Sequence, residues 1–181
     1  MTWRVGQGFD IHPFSDQAER PLVLGGVRVE GRGLRGHSDA DVVCHAITDA
    51  LLGAAGLGDI GTMFPDTDER WSGADSLLLL TAARDRLAPK WRTVNVDCTV
   101  VAEGPELAAH REQMEQKLSS ILQAPVSVKA KRGEGLGALG RREGIACLAV
   151  VLISEVVEQA KRPSGAERAK RLSVAEQATG L

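Results

Sequence analysis

Asp10 and His12 flank a single isoleucine in the stretch GFDIHPF, residues 8 to 14. Residues two apart in an extended segment point the same way. The carboxylate and the imidazole therefore share one face, and Phe9 and Ile11 take the other. That is half of a metal site. His45 offers the third ligand. It lies one helical turn after Asp41 and one turn before Asp49 in GHSDADVVCHAITDALLG, residues 36 to 53. Positions four apart share a helix face, so a flanking carboxylate is placed to orient whichever ring nitrogen does not coordinate. Two imidazoles and one carboxylate leave a fourth position open, as in catalytic rather than structural zinc sites. A surface or hydrogen-bonded core histidine is the plain alternative at this position.

Two further groups have phosphate chemistry. His37 and Ser38 precede a predicted helix, where free backbone N–H groups make a phosphate seat and Ser38 adds a hydroxyl; an ordinary cap is the competing reading. Glu134 sits in KRGEGLGALGRREG (131–144), with Lys131, Arg132, Arg141 and Arg142 around it. Such loops hold phosphates through backbone N–H groups, and a carboxylate there suits a hard cation such as Mg²⁺. A charged surface turn is the alternative. Other signals fail. GQGFDI (6–11) has Ile11 in place of the third glycine of a dinucleotide fingerprint, and Pro13 spoils the helix that should follow. DTD (66–68) lacks the rest of a calcium loop and reads as solvated turn residues. Cys44 and His45 are adjacent, so on a helix they point about 100° apart, a poor nucleophile–base pair.

The elements that must position these groups follow from periodicity and punctuation. Residues 3–11 read as a strand, and PLVLGGVRV (21–29) as a hairpin around Gly25-Gly26. A helix is expected from Ser38 or Asp39, continued by Val42, Val43, Ala46, Ile47, Ala50, Leu51 and Ala54. Residues 56–73 hold too much Gly, Pro and Asp for a regular element, and long ordered connections are often functional. Helices are expected over 74–88 and 105–122, the latter opened by Pro105. Strands are expected over 91–102, 124–130 and 145–153. These elements fit an α+β sandwich: one mixed sheet with helices on one face, plus the small early hairpin. Residues 1–158 then form one domain, and 159–181 a charged tail.

Bulk properties narrow the function classes. The 181 residues carry 22 basic and 24 acidic side chains, for a net charge of −2. This gives no global pull toward nucleic acid or membrane, so any anion site must be local. Three Phe, three Trp and no Tyr leave little for base stacking. Cys44, Cys98 and Cys147 are far apart in apolar surroundings, which reads as buried thiols rather than a disulfide or a cysteine zinc site. No apolar run is long enough to span a bilayer, and the start lacks the pattern of a signal peptide. The expected location is cytoplasmic.

Taken in order, GQGFDIHPF, GGVRV, GHSDADVVCHAITDALLGAAGLGDIGTMFPDTD, GADS, NVDCTVVA and GRREGIA resemble the 2-C-methyl-D-erythritol 2,4-cyclodiphosphate synthase family of the non-mevalonate isoprenoid pathway. The resemblance runs from residue 6 to about residue 157. It implies a phosphorus–oxygen lyase that cyclises 4-diphosphocytidyl-2-C-methyl-D-erythritol 2-phosphate. The 2-phosphate attacks the β-phosphorus, giving 2-C-methyl-D-erythritol 2,4-cyclodiphosphate and CMP. It further implies Zn²⁺ or another divalent transition metal on Asp10, His12 and His45, and Mg²⁺ or Mn²⁺ held on the diphosphate with the help of Glu134. His37, Ser38, Asp59 and Gly61 would contact the methylerythritol phosphate, and Phe64, Asp66 and Asp68 are further expected substrate-binding residues. Ala102, Pro105, Leu107, Ala130, Lys131 and Arg132 would line a cytidine pocket supplied by a neighbouring subunit of a homotrimer whose active sites lie between subunits. Arg141 or Arg142 would meet the phosphates of an isoprenoid diphosphate in the trimer's central cavity.

Some positions depart from the family pattern. Lys131-Arg132-Gly133 replaces a run of threonines, so charge stands where hydroxyls would contact the nucleotide. Glu106 replaces a common lysine, and Ala138-Leu139 replaces a phenylalanine of the glycine-rich loop. Two other functions remain open from sequence: a zinc-dependent phosphohydrolase using metal-bound water, and a non-catalytic trimer that binds nucleotide or isoprenoid diphosphate.

Overall fold

Gly6 and Gly8 set the central contact of the fold. A Cβ at Gly6 would stand 1.9 Å from the Ala50 carbonyl oxygen, and one at Gly8 would stand 2.0 Å from that of Ala46. Only hydrogen in place of a side chain lets the first helix lie directly on the first strand. The structure is a computed structural model and describes residues 1–156. Its strands are β1 (Trp3–Pro13), β2 (Leu22–Leu24), β3 (Val27–Val29), β4 (Trp91–Val101), β5 (Val126–Lys131) and β6 (Gly144–Glu155). Its α-helices are α1 (Val42–Ala55), α2 (Ile60–Met63), α3 (Ser76–Leu87), α4 (Arg111–Leu122) and α5 (Gly137–Gly140), with one 3-10 turn at Glu69–Trp71. The charged tail predicted for 159–181 lies outside the described residues.

The main sheet has the order β1-β6-β4-β5, antiparallel except for the parallel β4–β5 pair, and β2–β3 form a separate hairpin. This is the mixed sheet and early hairpin expected from sequence. α1 packs on β1 and β6, α4 covers β5, and α3 packs against α1 and α4. The core lies between helices and sheet. Cys98 and Val100 of β4 and Cys147, Ala149, Val151 and Ile153 of β6 meet Ile47, Leu51, Leu80, Met114 and Leu118 there. All three cysteines are buried and free, as their spacing indicated.

Among the described residues nothing covers the other face of the sheet. Outward residues of β1 and β6 pair as Val5↔Leu152, Gln7↔Val150 and Phe9↔Leu148. Val5 is 68% exposed, Phe9 49% and Val150 46%.

Two helix starts differ from the sequence expectation. α1 begins at Val42 rather than Ser38 or Asp39, because the Asp41 side chain accepts from the Val43 and Cys44 N–H groups. The same carboxylate accepts from Gly25 N at 2.9 Å and Gly26 N at 2.7 Å. Both glycines have positive φ, 57° and 70°, as a tight hairpin turn of this kind requires. Asp41 thus ties the hairpin to the helix in a fully buried position. α4 begins at Arg111, well beyond Pro105, so Pro105 belongs to the preceding connection rather than to a first helical turn.

Candidate active site

Alternation along β1 sends Asp10 and His12 toward the helical layer, and the close seating of α1 brings His45 over them. Asp10 Oδ2 lies 3.3 Å from His12 Nε2 and 3.1 Å from His45 Nδ1. One ligand atom from each residue lies within 4.8 Å of the others. A tetrahedral site with bonds of about 2.0–2.1 Å has ligand–ligand edges of about 3.4 Å, so the two short separations suit a shared ion. His12 Nδ1 is 2.7 Å from the Arg35 carbonyl oxygen, which can only accept. That nitrogen carries the N–H, and Nε2 presents its lone pair to the cluster.

Electrostatics agree with this geometry. Burial disfavours the charged form of Asp10, yet hydrogen bonds and charge from His12 and His45 outweigh it and hold the carboxyl well below the usual carboxylate range. Burial likewise opposes charge on His12, but hydrogen bonding and attraction to Asp10 raise its pKa above the ordinary imidazole value. The carboxylate draws positive charge into this spot, and the donor set of two nitrogens and one oxygen fits a borderline divalent metal.

The residues that orient the rings differ from those expected. Asp41 caps α1, as described above. Asp49 accepts from the Ile60 N–H at 2.7 Å and fastens α2, and burial raises its pKa. Neither carboxylate hydrogen-bonds the His45 ring. Instead His45 Nε2 lies 2.8 Å from Ser76 Oγ and 3.1 Å from Ser38 Oγ, and Ser76 Oγ hydrogen-bonds Asp39. Arg20, also unforeseen, donates to the carbonyls of Gly36 and Ser38 and holds that strap in place. Ser76 was visible in sequence only as part of the GADS stretch, 37 positions from Asp39, with no periodicity to link them.

The triad opens into a cleft of about 540 Å³. Of the predicted substrate-binding residues, His37, Ser38, Gly61, Phe64 and Asp66 line it, together with Ile60, Trp71 and Leu79. Phe64 and Trp71 meet edge to face with ring centres 5.0 Å apart. Asp59 and Asp68 serve as caps: Asp59 accepts from Thr62 N at 2.7 Å, and Asp68 caps the 3-10 turn and pairs with Arg70. The expectation of a phosphate seat on free helix-start donors at His37-Ser38 is corrected, because Asp41 occupies the donors of Val43 and Cys44. Ser38 instead offers its hydroxyl.

A second cavity of about 280 Å³ lies at the β4–β5 end. All six residues expected around cytidine line it: Ala102, Pro105, Leu107, Ala130, Lys131 and Arg132, with Arg111, Glu103 and Glu106 beside them. Glu134 follows at positive φ in the exposed loop, where Gly135 N donates to Glu103. Arg141 pairs with Glu143 at 2.6 Å, and Arg142 is held at φ 60°. The two cavities share no lining residue. β1 and β5 are opposite edges of the sheet, three strand spacings or roughly 14 Å apart. One chain therefore carries the two cavities at opposite edges of its sheet.

Comparisons with known proteins bear on the whole described region. The YgbB family matches residues 3–154. The 2-C-methyl-D-erythritol 2,4-cyclodiphosphate synthase of Rubrobacter xylanophilus is 55% identical over 160 residues, covering 86% of this chain and 97% of that protein. Among solved structures, the bifunctional IspDF of Campylobacter jejuni is 40% identical with a TM-score of 0.81; the match covers 87% of this chain and 43% of that longer one. The IspF of Plasmodium falciparum, solved as a CDP complex, is 34% identical with a TM-score of 0.75, covering 86% of this chain and 97% of that one. With the strand order, the triad and these relatives in agreement, the chain belongs to the YgbB family, that of the 2-C-methyl-D-erythritol 2,4-cyclodiphosphate synthases.

Proposed function

We propose that this protein is a phosphorus–oxygen lyase that cyclises 4-diphosphocytidyl-2-C-methyl-D-erythritol 2-phosphate to 2-C-methyl-D-erythritol 2,4-cyclodiphosphate and releases CMP. The observation that carries the reading is the convergence of Asp10, His12 and His45 on one point at the floor of a cleft lined by His37 and Ser38. The donor set suits Zn²⁺ on these three residues, and the Glu134 carboxylate suits Mg²⁺ or Mn²⁺. When bound, such ions neutralise and polarise the phosphates that must approach each other.

The chain's own groups do the rest. Ser38 Oγ accepts from Ala40 N at 3.2 Å and faces His45 Nε2, so its own proton is available to a phosphate oxygen in the cleft. Lys131 and Arg132 bring charge to the diphosphate end where threonine hydroxyls are absent, and the apolar lining of the second cavity accepts the base. The nucleophile and electrophile belong to one substrate, so holding it bent supplies an effective molarity on the order of 10⁵ M or more. No protein nucleophile is required. Burial pushes the Cys44 thiol well up, which keeps it inert. A phosphohydrolase would want a free base beside the metal. Both metal-facing imidazoles instead have their other nitrogen engaged, by Arg35 O and by Ser76 Oγ.

The separation of the two cavities supports a homotrimer with active sites between subunits, and the bare apolar face of β1 and β6 supplies the surface to bury. Among the described residues no helix is long and apolar enough to cross a membrane. The test is to incubate metal-loaded protein with the CDP-methylerythritol 2-phosphate and follow it by phosphorus NMR. Cyclic diphosphate with CMP is expected. Linear phosphate would mean hydrolysis and unchanged substrate would mean binding alone, and either result overturns the proposal.

A further inference from the structure

His12 is oriented by a backbone carbonyl, but His45 is oriented by side chains drawn from two other segments, and these have a definite proton order. We propose that Asp39 and Ser76 are positioning residues: they fix His45 in the tautomer protonated at Nε2, and so aim its Nδ1 lone pair at the metal. This rests on the metal reading of the triad.

The argument is a count of donors and acceptors. Ser76 is fully buried and begins α3. Asp39 accepts twice from this one residue, through Oδ2 from the Ser76 N–H at 3.1 Å and through Oδ1 from the Ser76 hydroxyl. A carboxylate has no proton to give, so the single hydroxyl proton of Ser76 goes to Asp39. What remains facing His45 Nε2 at 2.8 Å is a lone pair. Ser38 Oγ, 3.1 Å away, already accepts from Ala40 N and offers a lone pair as well. The Ser76 lone pair therefore requires Nε2 to carry the N–H, and Ser38, with one lone pair still free, can share in accepting it. Nδ1 is then left with its lone pair 3.1 Å from Asp10 Oδ2, itself an acceptor. Two lone-pair atoms at that distance need positive charge between them, which a second ring proton supplies in the metal-free protein and a bound metal would supply in its place. Asp39 also accepts from the Asp41 N–H at 3.2 Å. It therefore binds the start of α3 to the strap that leads into α1, and the ring on α1 is held by the helix beside it.

The test compares the zinc affinity of metal-stripped protein, measured by competition with a chromophoric chelator, for the unaltered chain, Ser76→Ala, Ser76→Thr and Asp39→Asn. Partners of ligating histidines typically change metal affinity about 10–100-fold. Ser76→Ala is expected to weaken zinc by that factor and Asp39→Asn by about tenfold. Ser76→Thr, which keeps the hydroxyl, should stay within about threefold. Circular dichroism identifies any variant that fails to fold; should Ser76→Ala do so, the nearly isosteric Asp39→Asn carries the same test. Unchanged affinity in Ser76→Ala or in Asp39→Asn overturns the proposal while leaving the metal reading intact. A Ser76→Thr defect as large as that of Ser76→Ala also overturns it. An unaltered chain that binds no zinc overturns both.

Discussion

Replacing Gly8 by alanine tests whether the seating of α1 on β1 creates the metal site. The added Cβ would fall 2.0 Å from the Ala46 carbonyl oxygen and 2.8 Å from the Ala50 N. Ordinary contact begins near 3.4 Å, so helix and strand must separate by about 1.4 Å (3.4 − 2.0). The obstruction is backbone, which cannot swing aside as a side-chain tip does. Alanine in place of glycine would otherwise stabilise by about 0.5–1 kcal/mol through lost unfolded-state freedom. Overpacking against a rigid helix costs about 3 kcal/mol or more and wins. At roughly 2–4 °C per kcal/mol for a chain of this size, the net loss of about 2 kcal/mol or more should lower the melting temperature by about 4–8 °C or more. The consequence for the site is larger still. Metal–ligand distances tolerate about 0.2 Å, and His45, on the turn that contains Ala46, moves with the helix. Zinc affinity should therefore fall more than the Ser76 changes make it fall. The assay is thermal unfolding of the metal-free protein beside chelator competition. A Gly8→Ala protein melting within about 2 °C of the unaltered chain, with unaltered zinc affinity, would refute the reasoning.

Asp41→Ala leaves the N–H groups of Gly25, Gly26, Val43 and Cys44 without their shared acceptor. At about 1–3 kcal/mol for each buried group left unsatisfied, the loss should be at least about 3 kcal/mol in denaturant unfolding, and a change below 1 kcal/mol would contradict the staple. Val150→Glu puts a charge on the apolar face between Gln7 and Asp97. It should reduce the mass measured by light scattering from that of the proposed homotrimer to the 19.3 kDa of one chain. Retention of the native assembly would show that another surface makes the contacts.

The sequence makes the local elements legible where one period or one punctuation mark dominates. Alternation along β1 places Asp10 and His12 together, Gly25-Gly26 marks the hairpin, and Asp75 caps α3 close to its expected start. It misleads where several residues compete. Ser38, Asp39 and Asp41 are all good caps by type, and what selects Asp41 is its simultaneous bond to a hairpin sixteen positions away. The helix expected from Pro105 begins only at Arg111, without a side-chain cap to announce it. The same limit hides the partner of His45. Spacing on the helix pointed to Asp41 and Asp49, but a bond spanning 31 positions to Ser76 is set by how α3 packs on α1, a tertiary event with no local signature. The candidate ligands were legible because two are near neighbours on one strand and the third stands in a helix with a clear apolar period.

The strand order β1-β6-β4-β5 makes the two halves of the catalytic equipment heritable as independent lesions. A chain crippled at His45 still carries a sound nucleotide cavity, and one crippled at Lys131 still carries a sound triad. In the proposed homotrimer each centre draws one half from each of two adjacent chains, so the two dead proteins, coexpressed in equal amounts and assembled at random, would regenerate about a quarter of their catalytic centres. Loss of function in this enzyme is therefore expected to show complementation between alleles, something a site contained within a single chain does not allow.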